Sequence, residues 1–327
     1  MRHFAIAMTV CLAVILCAGT ALAAYPQKPV SLIAPFGAGG VSDLEGRAFA
    51  QVAQKYLGQP VMVTNKTGGA GVVGSQFVRN SRPDGYTMLV GRIGPHGSIP
   101  AMNMTCPYAW DQFTIIGILQ EDPVGVVVRA DSPYKTLSDL KKAILENPGK
   151  LAYGSSGPLG MNGMAPLVFV NALGGKPSDV KMVSYGGGGE TIAALMGGHI
   201  DFLATNLAEC GMPQLRAGQF RALAVTSSER WPDLPDTPTV RELGLQDLEF
   251  LRGWTGLYGP ENLSKEVVDT WAGVIQKVAK DEDWLRMTND LASVPNVMGP
   301  AESKEYVRKQ IDMYDKLGDK LGIKILK

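Results

Sequence analysis

Three short loops of this 327-residue chain carry the residue types that can hold a small anion. Residues 36–43 read FGAGGVSD, residues 154–163 read GSSGPLGMNG and residues 185–190 read YGGGGE. Glycine has no Cβ and tolerates positive φ, so backbone N–H groups in such loops come close to a ligand. Where the loop leads into a helix, free N–H groups of the first turn and the positive end of the dipole add to the attraction. The chemistry on offer is binding by backbone amides and hydroxyls. A tight turn alone also calls for glycine, but three loops with the same placement favour binding.

Other reactive groups are few. Arg92 follows a strand ending at Gly91, where its guanidinium can pair with a ligand carboxylate or form a salt bridge between lobes. His96, within GPHG at 94–97, has the same two options of ligand contact or a loop role. Asp43 falls in the first turn of a helix, where the dipole favours a carboxylate. Shaping the loop suits it better than touching an anion it would repel. His199, in GHID, reads as a surface turn. No G-x-S-x-G elbow surrounds Ser155 or Ser156, no Walker lysine follows the first loop, and its G-x-G match is incomplete as a dinucleotide fingerprint. No cofactor or metal is expected, because the residues after the leader hold two histidines, two cysteines and no Cys/His cluster.

The elements that must position these loops alternate short apolar runs with helical stretches, which indicates α/β architecture with mainly parallel sheets. Strands are expected at 30–34, 61–64, 87–91, 124–129, 150–153, 182–185, 200–204, 221–226 and 254–258. Helices are expected from Ser42 onward and at 137–146, 164–172, 191–196, 264–280 and 301–321. Ser42 and Glu45 fit a capping box, followed by Leu44, Ala48, Phe49, Val52 and Ala53 at helical spacing. Each glycine loop then falls at the carboxyl end of a strand, where open α/β sheets bind ligands.

Composition narrows the function classes. The chain is 45% hydrophobic and 19% charged, with 31 basic and 31 acidic residues, so it builds a sizeable core and has no basic excess for nucleic acid. Met1, Arg2 and His3 precede an apolar stretch from Phe4 to Cys17, about 14 residues and too short to span a bilayer. With Ala21-Leu22-Ala23 after it, residues 1–23 read as a signal peptide; Leu16 before Cys17 argues against lipidation. Cys106 and Cys210 remain in the exported chain and read as two separate buried thiols.

The ordered motifs resemble one family. Tyr25-Pro26-x-Lys28-Pro29-Val30 with the 35–43 segment, Asp84-Gly85-Tyr86-Thr87, and Pro148-Gly149-Lys150-Leu151-x-Tyr153-x-Ser155-Ser156-Gly157 resemble segments of the tripartite tricarboxylate transporter substrate-binding proteins, the Bug or TctC-like family. So do residues 185–201, the RALAVT run at 221–226, LPDTPT at 234–239, and Trp254-x-Gly256. The resemblance implies a two-lobed, type II-like periplasmic binding protein fold with a ligand cleft between lobes. Lobe 1 would comprise residues 24–123 plus 251–327, and lobe 2 residues 124–250. It implies a periplasmic monomer, not an enzyme, that captures a small organic carboxylate and delivers it to membrane transporter subunits. Ligand-binding residues carried over are Gly39, Gly40, Val41, Ser42, Asp43, Ser155, Ser156, Tyr185, Gly186 and Asn206, to which Arg92 and His96 are added from their position. The chain departs from the family at Ala38, Gly186 and Arg92, and the extra charge of Arg92 favours a dicarboxylate or aromatic carboxylate. A secreted enzyme acting on a small carboxylate, or a sensor for a membrane signalling protein, are the alternatives.

Overall fold

The computed structural model describes residues 24–326, so the signal peptide expected at residues 1–23 lies outside the described residues. β1 (Val30–Ala34), VSLIA, is apolar except at the half-buried Ser31, as suits a strand covered on both faces, and it pairs in parallel with β2 (Val61–Asn65) and β3 (Thr87–Arg92). α1 (Val41–Leu57) follows β1, buries Ala48, Phe49, Val52, Ala53 and Leu57, and stops at Gly58, whose φ of 76° closes the helix. α2 (Val72–Arg79) and the short α3 (Ile99–Met102) flank β3 in sequence.

β4 (Thr114–Arg129) runs for 16 residues and joins two sets of strands. As far as Pro123 it pairs antiparallel with β9 (Arg252–Gly259), and its first part also meets β10 (Val294–Met298). From Val124 it pairs antiparallel with β7 (Phe202–Asn206), and over the same stretch with β8 (Phe220–Val225). β5 (Leu151–Ser155) lies parallel between β6 (Val180–Ser184) and β7. Helices α4 (Leu137–Glu146), α5 (Met161–Ala172), α6 (Gly188–Met196) and α7 (Met212–Arg216) belong to this second group. The chain ends with α8 (Lys265–Val278), α9 (Glu282–Asp290) and α10 (Pro300–Leu321).

The strand path β2-β1-β3-β9-β4-β7-β5-β6 is mixed, not mainly parallel. Parallel pairs sit on the flanks, where helices connect successive strands. The centre is antiparallel, because β4 and β9 carry the chain between the two groups without a helical crossover. The first half of β4 escapes recognition in the sequence because Gly117 and Asp122-Pro123 look like breakers. The strand accommodates them with shifts of register against β9 near Gly117 and Gln120.

Among the described residues, three apolar clusters form the core. Phe49, Val52, Trp271 and Trp284 pack between α1, α8 and α9, and Leu195, Leu203, Leu215 and Trp231 fill the second group. The largest cluster runs through both, joining Ile93, Trp254 and Tyr258 to Met161, Phe202 and the α10 residues Tyr314 and Leu321. Cys106 and Cys210 are unpaired thiols; Cys210 is buried and Cys106 partly so. Among the described residues no helix is long and apolar enough to cross a membrane.

Helix capping differs among the helices. Thr136 caps α4 through a full capping box, and Ser264 and Asp281 cap α8 and α9 with their side chains. The N-caps of α1, α2, α5, α6, α7 and α10 are Gly40, Gly71, Gly160, Gly187, Gly211 and Gly299, which have no side chain to do this. The capping box expected of Ser42 and Glu45 is absent, because α1 begins at Val41 with Gly40 already extended at the cap. Ser42 Oγ, buried, has no hydrogen-bond partner among the described residues, and Glu45 turns into the core.

Candidate functional site

Three of the glycine-capped helices, α1, α5 and α6, open into one cleft. On the first side, Gly39 has φ 76°, and its N–H donates to Asp43 Oδ2 at 3.0 Å. Asp43 Oδ1 accepts from Arg47 Nε at 2.9 Å and from Asn65 Nδ2 at 2.9 Å, and Asn65 also donates to the Phe36 carbonyl. Burial pushes the Asp43 carboxyl up, but Arg47, the Gly39 N–H and Asn65 outweigh it and hold it below the usual carboxylate range. Asp43 therefore clamps the loop from inside.

The second side repeats the device. Glu190, three residues after the cap of α6, accepts the Gly186 N–H at 2.9 Å, as Asp43 accepts that of Gly39 four residues back. In the remaining loop Asn162 Oδ1 accepts from the Ser156 N–H and the Ser156 hydroxyl, each at 3.1 Å. Ser155 Oγ donates to the Gly157 carbonyl at 2.8 Å, and the Ser155 carbonyl accepts from the Tyr185 N–H at 2.8 Å. Each loop is thus held by an acceptor in the first turn of its own helix.

Glycine lets the two sides meet. A methyl group added at Gly157 would stand 2.6 Å from Ala70 Cβ, and one at Gly94 would stand 3.6 Å from Gly160 Cα. One at Gly187 would lie 3.9 Å from the Gly37 nitrogen, and Ser98 Oγ donates across to the Leu159 carbonyl. Two adjoining cavities remain between the sides, sharing Phe36 and Ser156. The inner one, of about 20 Å³, is bounded also by Arg92, Gly94, Asn206 and Glu209. The outer one, of about 200 Å³, is bounded also by Pro35, Gly69, Tyr185 and Gly186. A larger cavity of about 560 Å³ lies elsewhere, between Lys135–Ser138 and the 233–238 segment, where the N-terminus of α4 is already capped by Thr136.

The residues singled out in the sequence divide accordingly. Arg92, Ser156, Asn206, Tyr185 and Gly186 border the cavities, and Gly39, Gly40, Val41 and Ser42 form the mouth of α1. Asp43 and Ser155 face their own loops. Arg92 reaches the inner cavity but is only 4% exposed, with Nη1 2.7 Å from Asp122 Oδ2 and 2.9 Å from Glu45 Oε2 and a further bond to Thr255. His96 borders neither cavity. It lies fully buried with ring centroids 5.0 Å from Phe113 and 4.8 Å from Tyr258, and its Nδ1 accepts the Arg92 N–H at 3.1 Å. Burial lowers its pKa to about 3, so it is a neutral packing residue.

Sequence reasoning missed Glu209. It follows β7 on the second side and accepts from Thr205 Oγ1 at 2.8 Å and from the backbone N–H of Val41, the first residue of α1. Burial raises its pKa, and the charge of Arg92 pulls it part of the way back. Its only signal in the chain is position: a carboxylate three residues beyond Asn206, at a strand's carboxyl end.

Residues 46–322 match the model of the tripartite tricarboxylate transporter family receptor. The chain belongs to this family. It is 31% identical over 302 residues to an Agrobacterium vitis protein named from the TAR-I ttuE-ttuC' intergenic region, spanning 91% of this chain and 86% of the relative. The structure of the periplasmic binding protein BugD superposes with a TM-score of 0.85 at 28% identity, over 92% of this chain and all of BugD. MatC from Rhodopseudomonas palustris, solved with bound malate, superposes with a TM-score of 0.83 at 27% identity, over 90% of this chain and 99% of MatC. The family to which the chain belongs is one of solute-binding receptors.

Proposed function

We propose that this receptor works in the periplasm, takes up a small organic carboxylate between its two lobes and hands it to the membrane subunits of a tripartite transporter. The observation that carries the reading is the convergence of three helices with glycine N-caps, α1, α5 and α6, on one cleft. Uncapped first turns present N–H groups and the positive dipole end to an anion. Lobes of 24–123 plus 251–327 and of 124–250 are supported by the change of partners in β4 at Val124. A ligand touching loops of both lobes favours the closed arrangement through contacts it makes only there.

Binding of malate by MatC supports an organic acid as the ligand class. Export rests on the leader pattern of residues 1–23. Capture followed by release to a partner needs no nucleophile, and His96, packed against Phe113 and Tyr258, offers the cleft no base.

The test is thermal unfolding of the exported chain, stripped of carried-over ligand, against mono-, di-, amino- and aromatic carboxylates. A ligand present at about 100 times its Kd stabilises the native state by about 2.7 kcal/mol, a clear rise in Tm. A rise with carboxylates and no turnover of them is the expected result. No rise with any carboxylate sinks the reading.

A further inference from the structure

We infer that Glu209 is an internal rival of the ligand: its carboxylate, carried by the second side, holds the anion position where the first turns of α1 and α6 face each other, and the receptor's affinity for a carboxylate is set by how readily that group gives way. This rests on the carboxylate-receptor reading above and deepens it. Two glycine-capped first turns meet at this side chain. From across the cleft, Glu209 accepts the N–H of Val41, the first residue of α1, whose cap Gly40 has no side chain to offer. From its own side it accepts from Thr205 Oγ1 at 2.8 Å. A methyl group added at Gly188, the first residue of α6, would stand 3.2 Å from Glu209 Cγ and 3.3 Å from its carboxyl carbon, so glycine there leaves the carboxylate its room.

The two sides touch at the same seam. A methyl group at Gly187 would lie 3.9 Å from the Gly37 nitrogen, and one at Gly189 3.9 Å from the Ala38 carbonyl oxygen. Burial disfavours the ionised form of Glu209, and Arg92, which borders the same inner cavity, favours it. First-turn N–H groups and a guanidinium attract any anion, and here the chain supplies its own. A ligand carboxylate drawn to the same groups meets Glu209 as a like charge until that side chain swings away. Glu209 also does for α1, from the opposite side, what a side-chain cap does from within, so it clasps the two sides together. The two roles differ in sign. A residue that only held the cleft in shape would weaken binding when removed, whereas removal of a rival anion strengthens it.

The decisive experiment measures Kd by calorimetry for succinate, adipate, glutamate and benzoate, at pH 8 and in low salt, where charge effects are least screened. It compares the exported chain with Glu209→Gln, which removes the charge and keeps the shape, and with Glu302→Gln, which removes one charge from an exposed position on α10. Tm confirms that each variant folds, and Glu209→Ala takes the place of the amide if that one does not. The probes that bind the receptor bind Glu209→Gln about tenfold more tightly and bind Glu302→Gln as they bind the wild type. Equal or weaker binding by folded Glu209→Gln, or an equal gain in Glu302→Gln, overturns the rival and leaves the carboxylate receptor standing. No binding of any probe to any of these proteins, nor of the wider carboxylate panel, overturns both.

Discussion

Arg92 Nη1 lies 2.7 Å from Asp122 Oδ2, two residues before β4 leaves one set of partners for the other. The pair is almost fully buried, and Glu45 joins it at 2.9 Å, so one guanidinium compensates two carboxyl groups beside the point where the lobes divide. Glu45 is driven well above the usual carboxylate range, by burial first and by the charge of Asp122 next, with Arg92 opposing.

Removing Arg92 therefore acts on stability before it acts on binding. Arg92→Met strands a buried charge and is expected to cost about 3–5 kcal/mol, a fall in Tm on the order of 10 °C. Glu45→Gln has the opposite character. A carboxyl with a raised folded-state pKa stabilises the native protein while protonated, and that stability fades as pH rises through the raised value. The amide mimics the protonated acid, so Glu45→Gln should match wild type at low pH and surpass it at pH 8 in melting experiments. A Glu45→Gln protein much less stable than wild type at pH 8 would show that the charged form is the one the fold needs.

His96 sets the opposite slope. Its pKa falls from 6.5 to about 3 in the folded chain, so the unfolded chain binds a proton that the native one refuses. The contribution is fully present above pH 6.5 and is lost as pH falls toward 3, at about 1.4 kcal/mol per pH unit. His96→Phe, which suits the neighbouring Tyr108, Phe113 and Tyr258, loses the bond from the Arg92 N–H and some stability at pH 7. Its stability should nevertheless decline less steeply between pH 6 and pH 4. Parallel curves for the two proteins would refute the assignment.

Gly157 is one of the points where the two sides touch. Its φ of 153° and the 2.6 Å gap from an added methyl to Ala70 Cβ leave no room for alanine in the closed cleft. Gly157→Ala should weaken ligand binding by about 1–3 kcal/mol. Adding Ala70→Gly removes the clash but not the backbone strain, so the double variant should regain part of the affinity in calorimetry. Equal affinities for wild type and Gly157→Ala would mean that the cleft does not close on the ligand at this point.

What the chain disclosed before its fold was known follows from range. The Gly39-Gly40 and Gly187-Gly188 loops, strand β1 and helices α8 and α10 are written in contiguous residues, and all were legible. The parallel flanks were legible too, but the antiparallel centre was not, because Gly117 and Pro123 disguise half of β4. The site's charges were harder still. The partners of Arg92 lie 30, 47 and 163 residues away at Asp122, Glu45 and Thr255, and no local pattern tells a paired arginine from a free one. Glu209 acquires meaning only when β7 faces the start of α1, since its backbone donor is Val41. Ser42 was misread for a related reason: a glycine two residues earlier had already taken the cap.

One continuous ribbon, β4, belongs to both halves of the molecule. A jointed linker would let the halves swing without strain; a paired strand resists. Any change of angle between them must be absorbed as torsion along Thr114–Arg129 and as slippage at the irregular pairings beside Gly117 and Gln120. The halves are therefore sprung against each other rather than loosely hung. The stiffness of that spring, set by residues that touch no ligand, determines how much of the ligand's grip is left to appear as affinity.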